Sequence, residues 1–523
     1  MIRDIQGLNK LFAVLLLAGE LVVASAGLYR TDSRPGFYPL MAILLLSVAG
    51  LLRASTSLEF FFNWELITLS SFFLIARSHK AHPYALSFLL FSLASAFCLL
   101  AGFAIATAAN GTMAVSAFAS TGPDAWPAIV LLATGFLIKA GAAGVHVWLP
   151  GCYAEADDDL SAMLSAVVSK VAIFGIFTVT YLAIRSEMGL ELAYVLGWIG
   201  LITTLVGALM ALQQDDIKRM LAYSSMSQLG YIITAIALMS HLGWVTAFYL
   251  IANHLMVKGV LFLAVAGVIL RTDRRLLDDN GGLAREMPFT FASVLVAIVS
   301  MSGLPPLAGF GGKWLLLSAM VEKGWYPLAA VAVVATFIGF LYMFHLVHAV
   351  FLGSRKTDHA AIGEAPPTLL IPQFVLIAGI LILSFFPKLL MDPVSAAIDP
   401  TFAANLVWKG MSLETIYGYW NPIPVMGIAV VITAFLFALV WLYYRLARNR
   451  SAAAGIARFY AFYKVVLTPL ATPFVYQFWD GVSALTVSAA DSTRKIYTGN
   501  GRTYALCVLC YTIALYMIGT YGS

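Results

Sequence analysis

Apolar stretches recur along this chain from end to end. Most are about 18 to 25 residues long, the length a helix needs to cross the hydrocarbon core of a bilayer. They fall roughly at 11–29, 37–54, 58–76, 84–108, 126–148, 161–184, 191–212, 217–239, 243–270, 289–322, 326–352, 368–386, 423–444 and 503–521. The strict two-residue alternation of a membrane barrel is absent, so the spans are helical. The pattern predicts an all-α polytopic membrane protein of about fourteen transmembrane helices. The 289–322 stretch is too long for one straight helix and contains Pro305 and Pro306, which predicts a break inside it. Residues 451–500 mix basic and aromatic side chains (Arg458, Tyr460, Lys464, Trp479, Arg494, Lys495) with apolar ones. That mixture predicts an amphipathic helix along the membrane surface, broken at Pro469 and Pro473.

Composition agrees with a membrane location. Of 523 residues, 61% are hydrophobic and 11% charged, with a mean hydropathy of +0.89, against about 25% charged residues in soluble domains. The net charge of +5 does not point to nucleic acid, because the basic residues have a topological explanation. When the loops are alternated between two sides, twenty lysines and arginines collect on one side and seven on the other. The basic-rich side, with Arg274, Arg355 and Arg445, is then cytoplasmic, and Lys323 and Lys409 lie outside. An even number of spans puts both termini outside. The first apolar run reads as a retained span rather than a signal peptide. Cys507 and Cys510 form a C-x-x-C in the last span without a second pair to complete a metal site, and read as packing. No iron–sulfur, haem or nucleotide motif is visible, so the chain is expected to hold no cofactor of its own.

Four of the 31 basic residues remain, and all four lie within spans: Lys139, Lys170, Lys258 and Lys313. None is an arginine. A buried lysine releases its proton readily and an arginine in practice does not. The set therefore points to protons being passed rather than to charges pinned for structure. An ionisable residue inside a span is costly and marks a functional site by default. The alternative, a lysine snorkelling from a helix end, fits Lys139 poorly because apolar residues flank it on both sides.

Lys139 lies in GFLIKAGAAGVHVWLP, where Gly135, Gly141 and Gly144 loosen the run and Pro150 ends it. Gly-Phe-x-x-Lys occurs there and again at Gly309–Lys313, just after the proline pair. Paired, interrupted hydrophobic segments in two halves of a chain are the best sequence pointer to a transporter's conduction site. The spacing downstream repeats too: Lys170 follows Lys139 by 31 residues, and His345 follows Lys313 by 32. His146 lies two helical turns beyond Lys139. His254 and Lys258 are four apart and share a helix face, as do His345 and His348. Glu65 lies mid-span in FFNWELITLS. Glu20 lies mid-span in the first helix, with no partner that the sequence names.

Six segments, WELITLSSFFLIAR, GFLIKAGAAGVHVWLP, SAMLSAVVSKVAIFGI, DDIKRMLAYSSMSQLGYI, NHLMVKGVLFL and MPFTFASVLVAIVSMSGLPPLAGFGGK, resemble in order the motifs of one family. It comprises the antiporter-like proton-translocating subunits of respiratory complex I, energy-converting membrane-bound hydrogenases and Mrp antiporters. The resemblance covers roughly residues 10 to 390. It implies two inverted five-helix repeats, each with one discontinuous helix. It also implies a relay in which Glu65 pairs with Lys139, Lys170 is the next central lysine, His254 and Lys258 link the halves, and Lys313 ends the second broken helix. The corresponding organisation is N-terminal spans at 1–57, repeats at 58–190 and 191–352, additional spans at 353–450, a surface helix at 451–502 and a final span at 503–523.

Three departures stand out. Glu65 arrives two spans early for the family. The stretch after WLP carries EADDDLSAM, with Glu155, Asp157, Asp158 and Asp159, in place of a proline-containing one. This acidic patch reads either as a docking surface or as a cap in which Asp159 begins a helix. The C-terminal extension resembles the lateral helix that some such subunits carry, and YTGNGRTYAL is closer to the hydrogenase relatives. The resemblance implies a proton-translocating subunit of a redox-driven complex in a bacterial or archaeal cytoplasmic membrane. Its expected partners are other membrane subunits, the lipid bilayer, and redox subunits with iron–sulfur or [NiFe] centres. The alternatives are a sodium/proton antiporter subunit of the Mrp type and the membrane subunit of an inorganic-carbon uptake complex.

Overall fold

Of this chain, a computed structural model describes residues 2–29, 36–115, 126–184, 189–354, 362–398, 406–415 and 418–421, with isolated positions beyond. The chain divides into two compact units, Met1–Arg450 and Ser451–Ser523. The expected span 423–444, surface helix 451–502 and final span 503–521 fall outside the described residues, as do Cys507 and Cys510.

The helices are α1 (Ile2–Ser25), α2 (Phe37–Arg53), α3 (Ser57–Ile75), α4 (His82–Asn110), α5 (Trp126–Ala140), α6 (Trp148–Glu155), α7 (Asp158–Met163), α8 (Ser169–Ala183), α9 (Gly189–Leu212), α10 (Ile217–Ala237), α11 (His241–Thr272), α12 (Pro288–Ser302), α13 (Ala308–Glu322), α14 (Tyr326–Val347), α15 (Pro367–Phe385) and α16 (Lys388–Ala397). Among the described residues, eight helical segments are long and apolar enough to cross a membrane, with shorter apolar helices beside them. The molecule is a polytopic membrane protein. Local chemistry sets several boundaries. Thr56 and Glu59 form a capping box at the start of α3, Asp216 accepts the Arg219 amide at the start of α10, and Ser240 accepts that of Gly243 at the start of α11.

Both breaks expected from glycine and proline are present. α5 stops at Ala140, and the chain turns through Gly141 (φ 70°) and Gly144 (φ 93°) before α6 begins. A side chain would strain that left-handed backbone. The second break separates α12 from α13 over residues 303–307. A third irregularity was not expected: α7 runs into α8 through a π-turn at Leu164–Val168.

α11 forms the centre of the described fold. It is buried along most of its length and packs against α7, α10, α12, α13 and α15. α9 and α10 pack with their backbones close together, since a Cβ on Gly230 would lie 2.4 Å from the Gly200 carbonyl oxygen. Such small-residue contacts are how helices associate where lipid offers no hydrophobic driving force. α10 carries many serines and is nevertheless buried throughout.

One element departs from the all-α expectation. A three-stranded antiparallel sheet follows α16: β1 (Val407–Lys409), β2 (Ser412–Thr415) and β3 (Gly418–Trp420). A two-residue turn beginning with Gly410 at φ 66° joins β1 to β2, the position where hairpins favour glycine. The strands are too short for alternation to announce them in the sequence. Trp420 is buried and packs edge-to-face on Tyr249.

Candidate functional site

The chemistry of the described residues gathers around the four buried lysines. Lys139 sits in the last turn of α5, where the glycine break begins, and is 6% exposed. Its Nζ donates to Thr68 Oγ1 (2.9 Å) on α3 and to Ser92 Oγ (2.8 Å) on α4. The ammonium also lies 4.3 Å from the centre of the Phe88 ring and 5.8 Å from that of Trp64, positions in which a ring face attracts a cation. Glu65 is within electrostatic reach of Lys139. In this structure, however, the hydroxyls hold the lysine, and Glu65 Oε1 is buried without a hydrogen-bond partner among the described residues.

Lys170 is completely buried just past the π-turn. The Ser169 amide at that turn bonds Leu164 and Val167 carbonyls rather than the Ser165 carbonyl that a regular helix would engage. Lys170 Nζ donates to Ser165 O (2.6 Å) and to Ser169 Oγ (3.2 Å). Lys258, on α11, donates to Leu221 O (3.0 Å) and to Ser224 Oγ on α10. The two lysine sites are tied together by a hydrogen bond between Ser165 Oγ and Ser225 Oγ (2.7 Å), and their charges act on each other. His254 lies one turn from Lys258, within electrostatic reach of both lysines. Both its ring nitrogens lack a hydrogen-bond partner among the described residues.

Lys313, in the first turns of α13, donates to Met301 O (3.1 Å) and Ser302 O (3.3 Å) at the end of α12. Those carbonyls carry the negative end of the α12 dipole and lack intrahelical donors, so a cation suits them. The Tyr231 ring centre is 5.0 Å from Nζ. His146 is buried in the α5–α6 turn, edge-to-face with Tyr223. His345 and His348 are partly buried where α14 ends, and the His348 ring stacks on Phe344. Glu20 is fully buried in α1, both carboxyl oxygens lacking hydrogen-bond partners among the described residues.

Each of these four lysines is therefore held by uncharged oxygens, and the sequence reading missed the side chains that supply them: Thr68, Ser92, Ser169 and Ser224. One signal was present for Thr68, which lies three residues after Glu65 on the same helix face. The acidic patch is engaged in ion pairs. Glu155 takes two bonds from Arg275 (2.7 and 2.9 Å) and one from Arg219 (3.1 Å), Arg275 Nε reaches Asp216 (2.6 Å), and Lys218 reaches Asp158 (2.8 Å). Asp159 does not cap α7: the N-cap position is Asp157, and Asp159 lies within the first turn, where its carboxylate accepts the Leu160 amide (3.0 Å). Burial alone would raise the Glu155 carboxyl, but hydrogen bonds from Arg275 and Arg219 outweigh it and hold it below the ordinary carboxylate value.

Residues 54–339 match the family model described as NADH:quinone oxidoreductase/Mrp antiporter, TM. NADH-quinone oxidoreductase subunit N of Desulforudis audaxviator (strain MP104C) is 30% identical over 411 residues, covering 73% of this chain and 81% of that protein. Hydrogenase-4 component B of Escherichia coli (strain K12) is 30% identical over 414 residues, 72% of this chain but 61% of that longer protein. Among solved structures, a chain of the membrane-bound sulfane sulfur reductase, an archaeal respiratory membrane complex, superposes with a TM-score of 0.80 at 26% identity, covering 98% of this chain and 88% of that one.

Proposed function

The chain belongs to the NADH:quinone oxidoreductase/Mrp antiporter transmembrane family, and on that premise we propose that it carries protons along its buried lysines within a redox-driven membrane complex. The observation that carries this reading is that Lys139, Lys170, Lys258 and Lys313 are all buried and all seated on neutral oxygens. A lysine can take up and release a proton where an arginine cannot, and neutral oxygens support it without pinning the charge as a buried carboxylate contact does. Protons pass from the Glu65–Lys139 site by Lys170 and the His254/Lys258 pair to Lys313, which exchanges with one side of the membrane. His146, His345 and His348 serve as secondary stations. α5/α6 and α12/α13 are the discontinuous helices of two inverted five-helix repeats in a protein of fourteen spans. Both termini lie outside a bacterial or archaeal cytoplasmic membrane. The redox centres, iron–sulfur or [NiFe], belong to partner subunits.

Replacing Lys139 or Lys313 by alanine tests the relay. Each change removes a costly buried amine, so the complex should assemble while proton uptake into vesicles holding it falls to near background. Wild-type uptake in both variants, at normal subunit levels, would refute the proposal. Uptake that depends on sodium would favour cation exchange over proton pumping.

A further inference from the structure

α13 opens with Ala-Gly-Phe-Gly-Gly-Lys, residues 308–313. A glycine inside a helix is about 1 kcal/mol less favourable than an alanine, so three of them here call for a physical reason. Each meets a different neighbour. A Cβ on Gly309 would run into the Ser300 carbonyl oxygen of α12, and one on Gly312 would lie 2.6 Å from a Leu250 methyl carbon on α11. A Cβ on Gly311 would run into the indole of Trp420, carried by β3. The start of α13 is thus approached closely from three sides. Lys313 lies four residues from Gly309 and shares its face, toward α12, where Nζ donates to the Met301 and Ser302 carbonyls. Its stem passes over Gly303, where a Cβ would lie 2.6 Å from Lys313 Cδ. Gly311 is two residues from Lys313, about 200° around the helix, so Trp420 stands behind the lysine. The indole is itself well supported. It packs on Tyr249, whose hydroxyl donates to Leu383 O (2.9 Å) of α15, and Trp420 is paired across the sheet with buried Leu413.

We propose that Trp420 is a positioning residue for Lys313. Its indole presses on the bare backbone at Gly311 and holds the start of α13 against α12, so that the lysine keeps to the α12 carbonyls. This rests on the proton-relay reading above. Without the indole, a space opens behind α13 on the face away from α12. The helix is then free to back off, and the ammonium loses the carbonyls that carry the negative end of the α12 dipole. The amide of Ala308, which donates to Ser384 Oγ (2.8 Å) on α15, fixes the first residue of α13 but not the turn that bears the lysine. On this reading the short sheet delivers one aromatic side chain to the second helix break, and the glycines at 309, 311 and 312 let α12, Trp420 and α11 close on it together.

The test pairs a bump with a hole in the assembled complex. Gly311→Ala sets a methyl against the indole and should push α13 off its place. Trp420→Leu removes the ring atoms nearest Gly311 and leaves the turn unbacked. Each single change should lower proton uptake roughly tenfold at normal subunit levels, the scale of an overpacked or emptied contact. In the double variant the methyl takes up space the indole left, so uptake should recover to within about threefold of wild type. Trp420→Phe, which keeps a ring on Tyr249, should also stay within about threefold. Independent effects would instead multiply to a loss of roughly a hundredfold in the double variant, and that result overturns the positioning role. So does a loss that only tracks a smaller amount of assembled complex. Lys313→Ala separates the two proposals. If it abolishes uptake while Trp420→Leu and Gly311→Ala pump normally, the role of Trp420 is refuted and the relay stands. If Lys313→Ala and Lys139→Ala both pump normally, the relay itself fails.

Discussion

A buried lysine resting on hydroxyls and carbonyls behaves differently on substitution from one locked to a carboxylate. Lys139 contacts Thr68 and Ser92, with Glu65 within electrostatic reach. If Glu65 and Lys139 form one proton-handling unit, removing either should disable it. Glu65→Gln should then block uptake without unfolding the chain, and Glu65→Asp, shorter by a methylene, should keep part of the activity. Glu65→Gln combined with Lys139→Gln should cost little more than either change alone. A double-mutant cycle on uptake rate measures this, and additive losses would remove Glu65 from the mechanism.

At the scale of elements, the C-terminal end of α6 is clamped to α10 and to the loop after α11. Glu155 bonds Arg219 and Arg275, and Arg275 reaches Asp216. The backbone reinforces the contact, since Ile217 N donates to Arg275 O (3.1 Å) and Leu277 N to Asp215 O (2.8 Å). The Glu155 carboxyl is held below its ordinary value, so ionisation favours the folded state. Its contribution is complete above the pH at which the unfolded carboxyl ionises and is lost as pH falls through the lower folded value. Glu155→Gln should therefore lower the thermal midpoint of the detergent-solubilised protein at neutral pH, with the gap from wild type closing on acidification. A gap that stays constant with pH would show that the charge on Glu155 does not stabilise the clamp.

The whole molecule is a polytopic membrane protein, and its relatives sit in multi-subunit membrane complexes. The orientation proposed for it rests on the excess of lysine and arginine on alternate loops. A single cysteine at Arg274 should resist a membrane-impermeant thiol reagent in intact cells, whereas one at Lys409 should react. The opposite labelling would invert the orientation, and with it the direction of the proton exchange proposed at Lys313.

Much of this architecture was legible in the sequence, because the signals involved are local or periodic. Apolar run length marks a membrane helix wherever it occurs, glycines and a proline pair mark the two breaks, and a lysine in an apolar run is conspicuous without any partner. Lys139, Lys170, Lys258 and Lys313 could therefore be singled out before any contact was known. Their partners could not. Lys139 meets its hydroxyls across 71 and 47 residues, and Glu155 meets Arg275 across 120; no periodicity along a chain encodes such pairings. The π-turn before Lys170 has no glycine or proline to announce it, and the short sheet at Val407–Trp420 depends on cross-strand pairing and on the packing of Trp420 against Tyr249. The chain determined which groups are titratable and where its helices must yield. Only the tertiary packing decided which oxygen each lysine rests on, because that depends on helices distant in sequence being brought side by side.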